Sequence, residues 1–117
     1  MKLQQLDHVA LTVSDLGKST EWYQRVLGLE RRHQEAWGDE PAFVCAGLTG
    51  LALFRAENAP GKMTHLAFRA DRETFEGAQQ ELKQQGIEFV FQDHQIAHSI
   101  YFTDPDGHRL EITTYDL

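Results

Sequence analysis

Two stretches of this 117-residue sequence carry the same order of signals, and that duplication narrows the folds open to it. The first starts with the alternating strand pattern Leu6-Asp7-His8-Val9-Ala10-Leu11-Thr12-Val13. Ser14 or Asp15 then offers a helix cap, and Trp22, Tyr23, Val26 and Leu27 supply an apolar helical face that Gly28 closes. The second starts with Met63-Thr64-His65-Leu66-Ala67-Phe68 and passes into a helix over about 72–85, stopped by Gly86. His8 stands 20 residues before Gly28, and His65 stands 21 before Gly86. Each copy next opens a second strand, over 28–31 and 86–90, and continues into a hairpin. The hairpins pair 42–46 with 51–55 around Gly47-Leu48-Thr49-Gly50, and 99–103 with 108–114 around Asp104-Pro105-Asp106-Gly107. The sequence thus predicts an α+β class built from two βαβββ modules. They run over about 4–56 and 62–115 of a single domain spanning 1–117, with a joint at Pro60-Gly61.

Charge and cysteine usage remove several function classes. Eleven basic against 18 acidic side chains give a formal charge of −7, and no basic run exceeds the pair Arg31-Arg32. Phosphate backbones need a basic stripe, so nucleic acid is not an expected partner. Cys45 is the only cysteine, which excludes an internal disulfide and a multi-cysteine zinc site. Between Phe43, Val44 and Ala46 it reads as an inert core thiol. The residues around Met1 lack an apolar signal core, and no segment reaches the ~20 apolar residues of a membrane span. A soluble, cytoplasmic protein without a membrane partner is the expectation.

Strand alternation then sorts the polar residues by face. His8, Ala10 and Thr12 share one side of the first strand, opposite Val9, Leu11 and Val13. His65, Ala67 and Arg69 oppose Leu66 and Phe68, and in the last strand Arg109, Glu111 and Thr113 oppose Leu110 and Ile112. The apolar sides suit the two helices, which leaves His8, His65 and Glu111 on the other side. Two imidazoles at equivalent repeat positions plus one carboxylate bind a divalent metal and leave coordination positions open. Taken singly, each of these residues is more ordinary: strand histidines are usually structural, and Glu111 could pair with Arg109. The repeat symmetry is what singles them out. His33 reads as a surface residue, His94 and His98 as surface residues of a loop with a pocket-edge role as the alternative, His108 as a brace for its turn, and Trp37 as a loop anchor with a lid or rim role as the alternative.

These motifs resemble the vicinal oxygen chelate superfamily, which includes glyoxalase I, fosfomycin-resistance transferases, extradiol dioxygenases and bleomycin-resistance proteins. The resemblance rests on 6–16, on Trp22-Tyr23 with Leu27-Gly28, on Thr64-His65-Leu66-Ala67-Phe68, and on the more specific run from Tyr101 to Glu111. It implies paired modules curving into an open, cup-shaped mixed β-barrel around one divalent metal, the glyoxalase/bleomycin resistance/dioxygenase fold. His8, His65 and Glu111 fall on the family's metal-ligand positions, and Tyr101 matches a substrate-contacting tyrosine. Glu111 and Tyr101 are therefore the candidate catalytic residues.

Departures from the family pattern rank the possible activities. Glyoxalase I takes a further glutamate from the strand that here reads Leu51-Ala52-Leu53-Phe54, which argues against its proton shuttle. Fosfomycin transferases carry a threonine where this sequence has Ala10, a lysine near Phe91, and a late arginine beyond the matched run. The leading expectation is a small mononuclear metalloenzyme, glyoxalase-like or dioxygenase-like, acting on an oxygen-chelating small molecule. The metal would be Zn, Ni, Mn, Fe or Co. The alternatives are a metal-free sequestering protein of the bleomycin-resistance type and a fosfomycin-type thiol transferase. A homodimer is expected, with His8 of one chain sharing a metal with His65 and Glu111 of the other.

Overall fold

In the computed structural model, residues 1–57, 64–103, 105 and 107–117 are described. The joint at Pro60-Gly61 and two residues of the second hairpin turn, Asp104 and Asp106, lie outside them. Eight strands and three helices follow in the order β1 (Gln5–Val13), α1 (Leu16–Leu27), β2 (Glu30–Arg32), α2 (Gln34–Trp37), β3 (Ala42–Ala46), β4 (Thr49–Arg55), β5 (His65–Arg69), α3 (Arg72–Gln84), β6 (Val90–Asp93), β7 (His98–Thr103) and β8 (Arg109–Thr114). This is the βαβββ order twice, with one added helical turn, α2, in the first copy. The chain folds as two compact units, residues 8–64 and residues 1–7 with 65–117.

The unit of residues 8–64 orders its strands β2-β3-β4-β1. β1 runs parallel to β4, while β3 is antiparallel to both β2 and β4. Asp15 caps α1 by accepting a hydrogen bond from the Lys18 amide at 3.0 Å, and Gly28 ends it in the left-handed conformation at φ 66°. The sheet then buries two different sides. Leu11, Val13, Ala42, Val44 and Leu53 pack with Leu16 and Tyr23 of α1. Ala10, Phe43, Cys45 and Ala52 form a separate cluster with Trp37 and Phe54. Cys45 is buried, as its neighbours predict. The alternation expected for β1 holds, since Leu11 and Val13 face the helix and Ala10 does not.

The second unit repeats the plan with the order β5-β8-β7-β6, β5 parallel to β8 and the remaining pairs antiparallel. Phe75, Ala78 and Leu82 of α3 bury against Ile100 and Ile112 of the sheet. Asp71 caps α3 by accepting from the Thr74 amide at 2.8 Å. At the other end the Ile87 amide donates to the Leu82 carbonyl (2.9 Å) and the Gly86 amide to Lys83 (3.1 Å), with Gly86 at φ 73°. This paired closure occupies 86–87 and delays the next strand to Val90, later than the sequence predicts. Residues 1–7 join this unit. Gln4 donates its amide to the Arg69 carbonyl at 2.8 Å, and the fully buried Asp7 accepts from Arg69 Nε (2.9 Å) and the Tyr115 hydroxyl (3.1 Å).

Candidate metal centre

Each unit contributes its own part of the predicted ligand set. In the unit of residues 65–117, β5 and β8 lie side by side in parallel, with Ala67 opposite Glu111. That register brings His65 Nε2 to 2.8 Å from Glu111 Oε1, both side chains being almost wholly buried. Two ligands about 2.0–2.2 Å from a shared metal, at right-angled to tetrahedral spread, stand ~2.8–3.6 Å apart. The observed separation fits that edge of a coordination polyhedron. The donors are an imidazole and a carboxylate, a set that borderline divalent metals accept.

The carboxylate is held from behind. Fully buried Ser99 donates its hydroxyl to Glu111 Oε2 at 2.7 Å, and its oxygen lies 3.0 Å from Thr113 Oγ1. With one oxygen turned to Ser99 and the other to His65, the plane of Glu111 is set before any ligand arrives. Sequence reading missed Ser99. Its signal was the alternation of β7 and β8, because Ser99 pairs with Thr113 and Tyr101 with Glu111 on the same face.

Tyr101 stands beside this pair, its ring 5.7 Å from the His65 ring and edge-on to it. The Arg109 guanidinium lies over the tyrosine ring at 4.5 Å, and the hydroxyl meets His94 Nε2 at 2.9 Å. Burial first, and the Glu111 carboxylate second, push the phenol well above its ordinary pKa, partly opposed by Arg109. Tyr101 therefore keeps its proton throughout the working range and can act as a hydrogen-bond donor. His94 is thus a partner of Tyr101, not a bare loop residue. His98, expected in the same loop, opens β7 instead and lies 3.0 Å through Nδ1 from Arg72 Nη2. Phe91 turns to the helix side, its ring 6.4 Å from Phe75 and 5.2 Å from His98.

In the unit of residues 8–64, His8 is buried on β1. Its ring contacts Phe43 edge-on at 5.4 Å, and Phe43 in turn meets Trp37 at 5.6 Å and His33 at 5.1 Å. His33 is half-buried at φ 63° before α2, so it belongs to this aromatic group and is not the plain surface residue its polar neighbours suggest. Trp37 anchors the segment as expected.

Two βαβββ units, one with a buried imidazole on its first strand and the other with a buried imidazole beside a buried carboxylate, define the class of fold. The profile of the Glyoxalase/Bleomycin resistance protein/Dioxygenase superfamily matches residues 5–112, and the chain belongs to that superfamily. Metallothiol transferase FosB of Staphylococcus epidermidis is 33% identical over 127 residues, covering 100% of this chain and 86% of that protein. Glutathione transferase FosA of Serratia marcescens is 36% identical over 115 residues, covering 94% and 80% respectively. Among solved structures, methylmalonyl-CoA epimerase from Mycobacterium tuberculosis superposes with a TM-score of 0.76 at 21% identity, over 96% of this chain and 88% of that one. The last likeness shows a shared fold.

Proposed function

We propose that the chain is a metal-dependent thiol transferase, acting on a small electrophile that chelates a divalent metal through oxygen. The observation that carries this reading is the near-full-length similarity to two proteins named as thiol transferases, at 33% and 36% identity. It moves the transferase reading above the glyoxalase-like or dioxygenase-like one that the sequence puts first. His8, His65 and Glu111 would hold the metal. All three are buried. The metal would supply Lewis-acid polarisation of the substrate's oxygen. Ser99 fixes the Glu111 carboxylate, Tyr101 donates a hydrogen bond to the bound substrate, and Phe43 and Trp37 screen His8 from water.

The test has two arms. Metal-loaded protein is incubated with fosfomycin and either glutathione or L-cysteine, and the adduct is sought by mass spectrometry. Thiol adduct formation that depends on metal and is lost in His65→Ala supports the reading. Unconsumed thiol, with turnover of the methylglyoxal–glutathione adduct instead, restores the glyoxalase-like alternative. The resemblance also leads us to propose a homodimer whose metal joins His8 of one chain to His65 and Glu111 of the other. Mixing His8→Ala chains with Glu111→Ala chains then regenerates one intact metal site per mixed dimer. Subunit exchange without recovered metal binding sinks that arrangement and leaves the transferase reading standing.

A further inference from the structure

We propose that Thr113 is a positioning residue for the Glu111 carboxylate: its hydroxyl donates to Ser99 Oγ and thereby commits the single Ser99 proton to Glu111 Oε2. The inference deepens the proposed function at one point. It rests on the reading of Glu111 as a metal ligand and not on the thiol-transfer step.

Strand register puts the three side chains together. Ser99 of β7 is paired across the antiparallel ladder with Thr113 of β8, and Glu111 stands two residues before Thr113 on the same face. All three are buried, at 0% exposure for Ser99 and 2% for each of the others, so the hydroxyl protons must find partners inside the protein. Thr113 Oγ1 has two within reach, Ser99 Oγ at 3.0 Å and the His98 carbonyl at 3.4 Å. Its branched Cβ restricts the hydroxyl to few rotamers. The neighbouring Thr114 lies on the opposite face of the strand and does a different job, accepting from the Asp116 amide at 3.2 Å.

The two hydroxyls can be ordered in two directions, and charge decides between them. As a metal ligand Glu111 is ionised, and its oxygens only accept. Ser99 has one proton to give, with Glu111 Oε2 at 2.7 Å and Thr113 Oγ1 at 3.0 Å. Running Thr113 to Ser99 to Glu111 uses both of these contacts, and the shorter one is charge-assisted. Running Ser99 to Thr113 to the His98 carbonyl uses the 3.0 and 3.4 Å contacts and deprives the carboxylate of the Ser99 proton. The first direction wins. The Tyr101 hydroxyl also hydrogen-bonds with Glu111 and Ser99, but it brings a proton of its own, and Ser99 Oγ has two lone pairs with which to accept. With Oε2 bound in this way, Glu111 keeps Oε1 turned to His65 Nε2, 2.8 Å away.

Co(II) is the probe, because its visible absorption reports the ligands around it as well as its binding. Metal-free protein is titrated with Co(II) and followed by calorimetry and by that absorption. Thr113→Val keeps the side-chain shape without the hydroxyl and should raise the Co(II) dissociation constant about fivefold, short of the roughly tenfold expected when Ser99 itself is lost. Thr113→Ser keeps the hydroxyl and should hold the parent spectrum, with affinity within about twofold of the parent. In a Ser99→Ala background, Thr113→Val should add nothing, because the residue through which it acts is gone. Parent affinity in Thr113→Val, an effect that persists in the Ser99→Ala background, or a Thr113→Ser protein as weak as Thr113→Val each overturns the inference. So does a loss of urea stability in Thr113→Val with Co(II) binding unchanged, since that assigns the hydroxyl to the fold alone. Co(II) binding untouched by Glu111→Ala sinks the ligand reading and the inference with it. Binding that is lost in Glu111→Ala yet equal in the parent and Thr113→Val sinks the inference alone.

Discussion

Gly50 is the position where one methyl group should reach the metal centre through packing. It sits in β4, paired with His8 of β1 on one side and Cys45 of β3 on the other. A Cβ there would lie 2.5 Å from Phe43 Cε1, 2.9 Å from its Cζ and 3.0 Å from Cys45 Sγ. Carbon atoms rest at about 3.5–4.0 Å, so the Phe43 ring must retreat by roughly 1 Å. It has little room, being 3% exposed and bounded by His8, His33 and Trp37. Overpacking of this kind costs about 1–3 kcal/mol, and neighbours on three sides put Gly50→Ala near ~2.5 kcal/mol. The displaced ring also pushes on His8, so metal affinity should fall about tenfold, as for a lost supporting contact. Urea unfolding with an unchanged m-value and calorimetric metal titration measure both effects. Shortening the ring gives an internal check: Phe43→Leu combined with Gly50→Ala should cost less than the two singles added, by about 1 kcal/mol. A Gly50→Ala protein within about 0.5 kcal/mol of the parent, or strict additivity in the pair, refutes the reasoning.

Three other expectations follow from single contacts. Ser99→Ala removes the 2.7 Å hydrogen bond to Glu111 and should weaken metal binding about tenfold with little change in stability, as read by calorimetry; unchanged affinity means that the hydroxyl does not orient the carboxylate. Asp7→Ala leaves Arg69 and Tyr115 without the buried carboxylate they share and should cost about 3 kcal/mol in urea unfolding, whereas a loss below about 1 kcal/mol contradicts a structural role for the pair. The Thr74 amide holds the Asp71 carboxyl below its ordinary pKa. Its contribution is present above the ordinary carboxylate range and fades as pH falls through the lowered value. The protection factor of the Thr74 amide, taken relative to its intrinsic exchange at each pH, should therefore fall on acidification, and Asp71→Ala should abolish that response.

Most of the fold was legible because period-2 strands, helix caps and left-handed glycines all pointed the same way. Asp15, Asp71, Gly28 and Gly86 bound the helices as their chemistry requires. The start of β6 was not legible, for a physical reason. Ile87 and Phe89 are apolar at alternate positions like a strand, yet the pair serves the closure of α3, where Ile87 donates to Leu82 and both side chains join the helix core. Local pattern cannot separate those two uses. His65 and Glu111 stood out through strand alternation and the repeat, and the parallel register of β5 and β8 is what brings them together. His33 was not, since only the positive φ before α2 turns its ring toward Phe43 and Trp37. The Tyr101–His94 contact depends on a loop containing Gln95 at φ 72°, a conformation that sequence does not advertise for glutamine.

The residues that would hold a metal and those that would choose a substrate have different grounds. His65, Glu111 and Ser99 are buried and set by strand register, with Glu111 between the other two: its Oε1 lies 2.8 Å from His65 Nε2 and its Oε2 accepts from Ser99. The departures from the fosfomycin-transferase pattern have different settings: Ala10 is buried in the cluster of Phe43, Cys45 and Ala52, while Phe91 is 48% exposed with its ring edge-on to Phe75 and His98. Neither position belongs to the buried His65–Glu111 pair, so the chain can differ from that pattern there without disturbing it. If the substrate is anionic, Arg109, whose guanidinium lies over the Tyr101 ring at 4.5 Å, is a cation placed beside the pair to meet its charge.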